Sequence, residues 1–227
     1  MFLAEWLEDY HEWHLSIDNK QKRQGLCIWD QNNGYRFASR AERFEIFRQA
    51  SRILTCFYDI REFRQIFLWH HAAGDFVVRS RNGLIDLKLT TVRRYDTVMM
   101  FQSEDAGNSM IALIYFFLNL TIKMRLDKFD GIGEVAWASD LSVEATIKGF
   151  FEALRIKETE DGYHHAKAEA LLSLLKAFSC EELKRLCHSM LDLFPQEAPD
   201  DFFTIQANLE GHVSMLYQAI RCFNLEG

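Results

Sequence analysis

Proline is almost missing, with two residues in 227 where ~5% is usual, so long uninterrupted helices are expected. No Cys-x-x-Cys pair occurs among Cys27, Cys56, Cys180, Cys187 and Cys222. That absence excludes a zinc knuckle and a thioredoxin-type motif, and the odd, scattered set excludes a disulfide scaffold. A reducing, cytoplasmic setting is expected. The longest apolar run, Met110–Leu118 continued to Ile122, falls short of the ~20 residues that a membrane span needs. It reads as a buried central helix. Met1 to Asp9 has no basic n-region and meets acid early, so no signal peptide is expected. Against these absences stand 48% hydrophobic and 14% aromatic residues. They exclude disorder as the general state and can fill a sizeable core.

Spacing then suggests the elements. Phe2, Trp6, Tyr10, Trp13 and Ile17 recur at fours and threes, which predicts a first amphipathic helix. Leu26–Asp30 and Tyr35–Phe37 flank Gln31-Asn32-Asn33-Gly34, a hairpin signature with Asn-Gly supplying positive φ. Ser39 and Glu42 form a capping box, opening a helix whose buried face holds Phe44, Phe47, Leu54 and Phe57. A second hairpin turns at Asn82-Gly83, pairing Arg81 with Leu84, Arg79 with Asp86 and Phe76 with Leu89. That register puts Phe76, Val78, Ile85, Leu87 and Leu89 on one face. The two hairpins could join into one small sheet.

From Ser109 onward the pattern reads as helix to the end. Gly131 would cap the core helix, Asp140 would open the next one, and Ser179 with Glu182 repeats the capping box. Leu209, Val213, Leu216, Ile220 and Phe223 form a seam for internal packing or for a homodimer through the 202–223 helix. The fold class is therefore α+β and predominantly helical. Two short antiparallel β-hairpins fall in an N-terminal part, 1–133, and a helical bundle in a C-terminal part, 134–227. One shared core is compatible with this division.

Charge is unevenly spread. Residues 20–94 hold 15 Lys+Arg and 7 Asp+Glu, whereas residues 95–227 hold 11 and 21. A basic middle in an acidic chain suits an anionic ligand or partner. Alternatively, Arg40, Arg43, Arg48, Arg52, Arg61 and Arg64 pair with acidic helices of the same chain. Nucleic acid is a weak expectation, because no RNP, helix-turn-helix or zinc-finger signature occurs.

The segment Trp69-His70-His71-Ala72-Ala73-Gly74-Asp75 runs into the second hairpin. Histidines, a glycine and an acid at a strand entrance suit close approach to a ligand. A kinase-like arrangement fails there, since Ser80 stands five residues after Asp75 where an Asn is required. His11 and His14, three apart on the expected first helix, offer a weak site for a divalent metal. Only Glu8-x-x-His11 matches a di-iron motif.

The expected function is a binding or regulatory module for an anionic small molecule or protein partner, with no membrane association. Arg79, Arg81, Arg93 and Arg94 would supply the charge beside the His70–Asp75 turn. The alternative is an enzyme using His70, His71 and Asp75 for metal-assisted hydrolysis or phosphoryl transfer.

Overall fold

A computed structural model describes residues 7–30, 33–67, 69, 74–97, 99–101, 106–159, 167–191 and 199–225. The expected first helix is not among them. Residues 8 and 9 form a turn and Trp13–Asp18 is a strand, β1; Phe2 and Trp6 lie outside the described residues. Trp13, His14, Leu15 and Ser16 are all buried, so both faces of β1 are covered. Without a solvent face the period-2 alternation vanishes, and aromatic spacing imitates a helix.

β1 pairs antiparallel with β2 (Arg23–Asp30), which pairs with β3 (Gly34–Phe37). The first hairpin therefore exists, with a different turn. Asp30 opposes Gly34, leaving three residues between, and Gly34 rather than Asn33 has positive φ, at 84°. The helix α1 (Arg40–Cys56) opens with the reciprocal capping box expected of Ser39 and Glu42. Phe57 lies beyond its end and is exposed rather than part of the buried face.

Three further strands follow: β4 (Arg64–Phe67), and β5 (Phe76–Arg81) with its hairpin partner β6 (Leu84–Leu89). The β5–β6 register matches the sequence expectation at all six pairs, with Asn82 and Gly83 both at positive φ. β7 (Arg94–Thr97) returns to pair with β4. The two hairpins stay in separate sheets, stitched by one bridge. The His11 N–H donates to the Val78 carbonyl and the Val78 N–H to the His11 carbonyl, each at 2.9 Å.

The central apolar run forms α2 (Ala106–Lys123), with Leu113, Phe117, Leu118 and Ile122 fully enclosed. It stops short of the expected cap at Gly131. A short hairpin follows instead, β8 (Leu126–Lys128) and β9 (Val135–Trp137), around a 3-10 turn where Asp130 and Gly131 take positive φ. Gly131 thus belongs to a β-turn segment and not to a helix cap. α3 (Leu141–Lys157) comes next, then α4 (Ala168–Ala177), α5 (Cys180–Leu191) and α6 (Pro199–Cys222). The Ser179–Glu182 box caps α5 as expected.

These helices are not a self-contained bundle, because α3 packs chiefly against α1. One continuous core runs from Trp13 to Ile220 and crosses residue 133. The α6 seam is spent inside it, with Leu209, Val213, Leu216 and Ile220 all buried. Those four side chains are therefore not on offer to a second copy. No described helix is long and apolar enough to cross a membrane.

Candidate functional site

His70 and His71 lie outside the described residues. Asp75 is fully buried, and both its carboxylate oxygens accept from Arg93 Nε, at 3.2 and 3.3 Å. Its carbonyl accepts from the Thr90 N–H at 2.8 Å. Gly74 takes φ 66°, a conformation that favours glycine, and a Cβ there would meet only the end of the flexible Glu12 side chain. The Gly74-Asp75 step thus anchors the entrance to β5.

The other three candidate arginines are engaged in the same way. Arg79 donates to Asp86 at 3.0 Å and lies 4.7 Å over the Tyr10 ring, whose hydroxyl also donates to Asp86. Arg81 pairs with Asp9, and Arg94 with Asp96 at 3.4 Å. The four are not brought together as one cluster. Arg79 and Arg81 sit on β5, Arg94 on β7, and Arg93 on Asp75. Replacing Arg79, Arg81 and Arg94 with Gln is expected to leave anion affinity within about twofold of the wild type, because exposed pairs of this kind act locally; Arg93 is kept, since its partner Asp75 is fully buried. Calorimetry with inorganic phosphate checks this, and a tenfold loss would return the site to these residues.

His11 and His14 also part company. On extended backbone an odd separation sends side chains to opposite sides. His11 Nε2 is 3.8 Å from Asp30 Oδ2, whereas His14 is buried against Trp29 with ring centres 4.5 Å apart. Burial lowers the His14 pKa, against the opposing pull of Glu12, 3.5 Å away. The expected two-histidine metal pair therefore does not form. Among the described residues no three His, Cys, Asp or Glu side chains converge to hold a metal.

His11 and Arg81 do meet, in a polar cavity of about 240 Å³ shared with Asp9, Asp30, Arg36 and Ser80. Its charges are answered internally. Arg36 makes a forked pair with Glu42, to which Ser80 also donates. Burial alone would raise the Glu42 carboxyl, but bonds from Arg36, Ser39 and Ser80 hold it down at about 2. This cavity is a neutralised polar knot joining β3, α1 and β5.

A different group stands out in the basic segment. Arg43, on the first turns of α1, is half-buried; its Nε is sealed from solvent with no acceptor, and among the described residues no acid pairs with its guanidinium. Burial, together with the charges of Arg23 and Arg40, pulls its pKa below the ordinary arginine value. A buried polar group without a partner costs on the order of 1–3 kcal/mol, and more if charged. Most proteins avoid that arrangement.

Arg43 lines a cavity of about 180 Å³ between β1–β2, α1 and the start of α3. Arg125, 5% exposed, lines the same space. Its Nε donates to the Ala138 carbonyl and its Nη2 to Asp140, each at 2.9 Å, and its guanidinium lies 4.8 Å over the Trp137 ring. Burial lowers the Arg125 pKa and Asp140 opposes that. Because the Asp140 carboxylate faces Arg125, it does not cap α3 as the sequence suggested. The first N–H groups of α3 turn back instead to the Ser139 and Asp140 carbonyls, so the helix opens beside the cavity with no side-chain acceptor on it. Gln24 completes the polar lining and donates to the Trp137 carbonyl at 3.1 Å.

Sequence reasoning counted Arg43 among basic residues that neighbouring acids would neutralise. One signal for it was legible. Arg40 lies within the Ser39–Glu42 capping box and Arg43 directly follows it, in the first turns of a helix, where the dipole disfavours cations. No family model, no curated protein and no solved structure matches this chain.

Proposed function

We propose that this protein is a binding or regulatory module for a small anionic ligand, held in the cavity between Arg43 and Arg125. The observation that carries the reading is the half-buried Arg43 guanidinium, which among the described residues has no acid partner and has a sealed, unbonded Nε. An arriving anion supplies the missing acceptor. It also relieves the repulsion among Arg23, Arg40 and Arg43, so binding and folding become linked. Five free thiols suit a reducing, cytoplasmic setting for such a module. The enzymatic alternative has less in its favour, because the Asp75 carboxylate is committed to Arg93.

Thermal shift at low salt tests the proposal. An anion at 100 times its Kd adds ~2.7 kcal/mol, or roughly 5–10 °C for a chain of this size. Inorganic phosphate is expected to raise the melting temperature of the wild type. The same additions should leave Arg43→Gln unmoved, although that variant is expected to melt no lower than the wild type without ligand. An equal ligand-induced shift in both proteins would overturn the assignment.

A further inference from the structure

We infer that the ligand of the Arg43–Arg125 cavity is a small phosphomonoester, in its dianionic form, carrying a short apolar body; this rests on the anion-binding reading above. The charge around the cavity sets the first limit. Arg125 is balanced by Asp140, but Arg43, on the cavity wall, has no acid partner among the described residues and feels the positive charge of Arg23 and Arg40, which are exposed and lie outside the lining. A carboxylate offers one negative charge against these three guanidiniums. A phosphomonoester offers close to two at neutral pH and three terminal oxygens.

Direction of approach sets the second limit. A carboxylate is planar, and its two oxygens are satisfied by a single guanidinium fork. Here two guanidiniums line separate walls: Arg43 on α1, and Arg125 on the far side beside the start of α3. A tetrahedral phosphate accepts from several directions at once, which suits opposed donors.

The walls set the third. Leu15, Leu26, Phe47 and Leu141 make most of the lining apolar, so a bare ion would leave them against water. About 180 Å³ is below the ~300–1,000 Å³ typical of sites for drug-sized ligands. A nucleotide is therefore too large, whereas a phosphate on a short hydrocarbon or a single ring fits.

The experiment is calorimetric titration of the full chain with phenyl phosphate, benzoate, inorganic phosphate, AMP and a phosphoserine peptide. Wild type, Arg43→Gln and Arg81→Gln are compared, the last as a control outside the cavity. Phenyl phosphate is expected to bind at least tenfold more tightly than benzoate or inorganic phosphate, and to lose at least tenfold in Arg43→Gln but not in Arg81→Gln. Its affinity should fall between pH 7.5 and pH 5, as the phosphate second pKa near ~6 is crossed. Benzoate binding as tightly, with the same Arg43 dependence, would leave the anion site standing and overturn the phosphate class. AMP or the peptide binding more tightly than phenyl phosphate would overturn the small free ester. If no probe binds, both readings fall.

Discussion

Replacing Gly149 with alanine is expected to destabilise the protein by about 3 kcal/mol, although alanine is the better helix former. In the middle of an exposed helix the exchange would gain up to ~1 kcal/mol. Here a Cβ would stand 2.0 Å from the Arg48 carbonyl oxygen and 3.0 Å from the Arg52 nitrogen, both backbone atoms of α1. Backbone cannot swing aside as a side chain can, so the helices must separate. Small residues at fours on α3, Ala145, Gly149 and Ala153, and Ala50 and Ser51 on α1 are all buried, which suits the close approach. Separation would strain the bond from Ser51 Oγ to the Thr146 carbonyl, 2.7 Å, and the Arg48–Glu152 pair. Overpacking of this kind costs ~1–3 kcal/mol and sometimes more. The melting temperature should drop by roughly 6–12 °C. An unchanged or higher value in a thermal scan would mean that α1 and α3 do not meet backbone to backbone. Because Arg43 sits on α1 and Leu141 on α3, the same crossing fixes the width of the cavity.

Acid should unfold the protein through His212. This side chain is 1% exposed, with Nε2 3.2 Å from Thr121 Oγ1 and Nδ1 without an acceptor. Burial, reinforced by the charge of Arg125, pushes its pKa down to about 3 from the ordinary 6.5. The folded state therefore keeps His212 neutral where the unfolded chain takes up a proton. Stability from this source is complete above pH ~6.5 and is lost as pH falls towards 3, by up to ~1.4 kcal/mol per unit. Over the whole window the loss is of order 4 kcal/mol. Denaturant titrations at pH 7, 6, 5 and 4 should show the wild type weakening more steeply than His212→Gln, by about 1 kcal/mol per unit. Parallel slopes in the two proteins would contradict a buried neutral His212. The ring also packs edge-on against Trp137, centres 5.9 Å apart, and Trp137 in turn carries Arg125. Acid thus loosens the back wall of the candidate site as well as α6.

What the sequence made legible was local. The β5–β6 register follows from an Asn-Gly turn with strict alternation beside it, and that hairpin keeps one face against the core. Both capping boxes are complete within four residues, so no distant contact could alter them. Tertiary context overrode the rest. β1 looked helical because both its faces are covered, and the Leu126–Trp137 hairpin was absorbed into the run of α2 because its strands are three residues each. Leu15 N–H donates to Asp127 Oδ2 at 2.6 Å, and Ser16 donates to Asp130. Those contacts tie β1 to that hairpin across more than a hundred residues, and no local pattern records them.

The site was half legible for the same reason. Counting charge located a basic segment, and Arg43 lies in it. Counting could not separate arginines that meet an acid in space, such as Arg79, Arg81, Arg93 and Arg94, from Arg43, which is half-buried and meets none among the described residues. Arg125, more than eighty residues downstream, comes from the acidic remainder of the chain and joins Arg43 only through the fold.

The most direct test of the account is two-dimensional NMR of the arginine Nε–H groups during titration with phenyl phosphate. The account predicts that the Arg43 and Arg125 signals move in a saturable, concerted way while those of Arg79, Arg81, Arg93 and Arg94 stay in place. Movement of the four paired arginines with a silent Arg43 would contradict it.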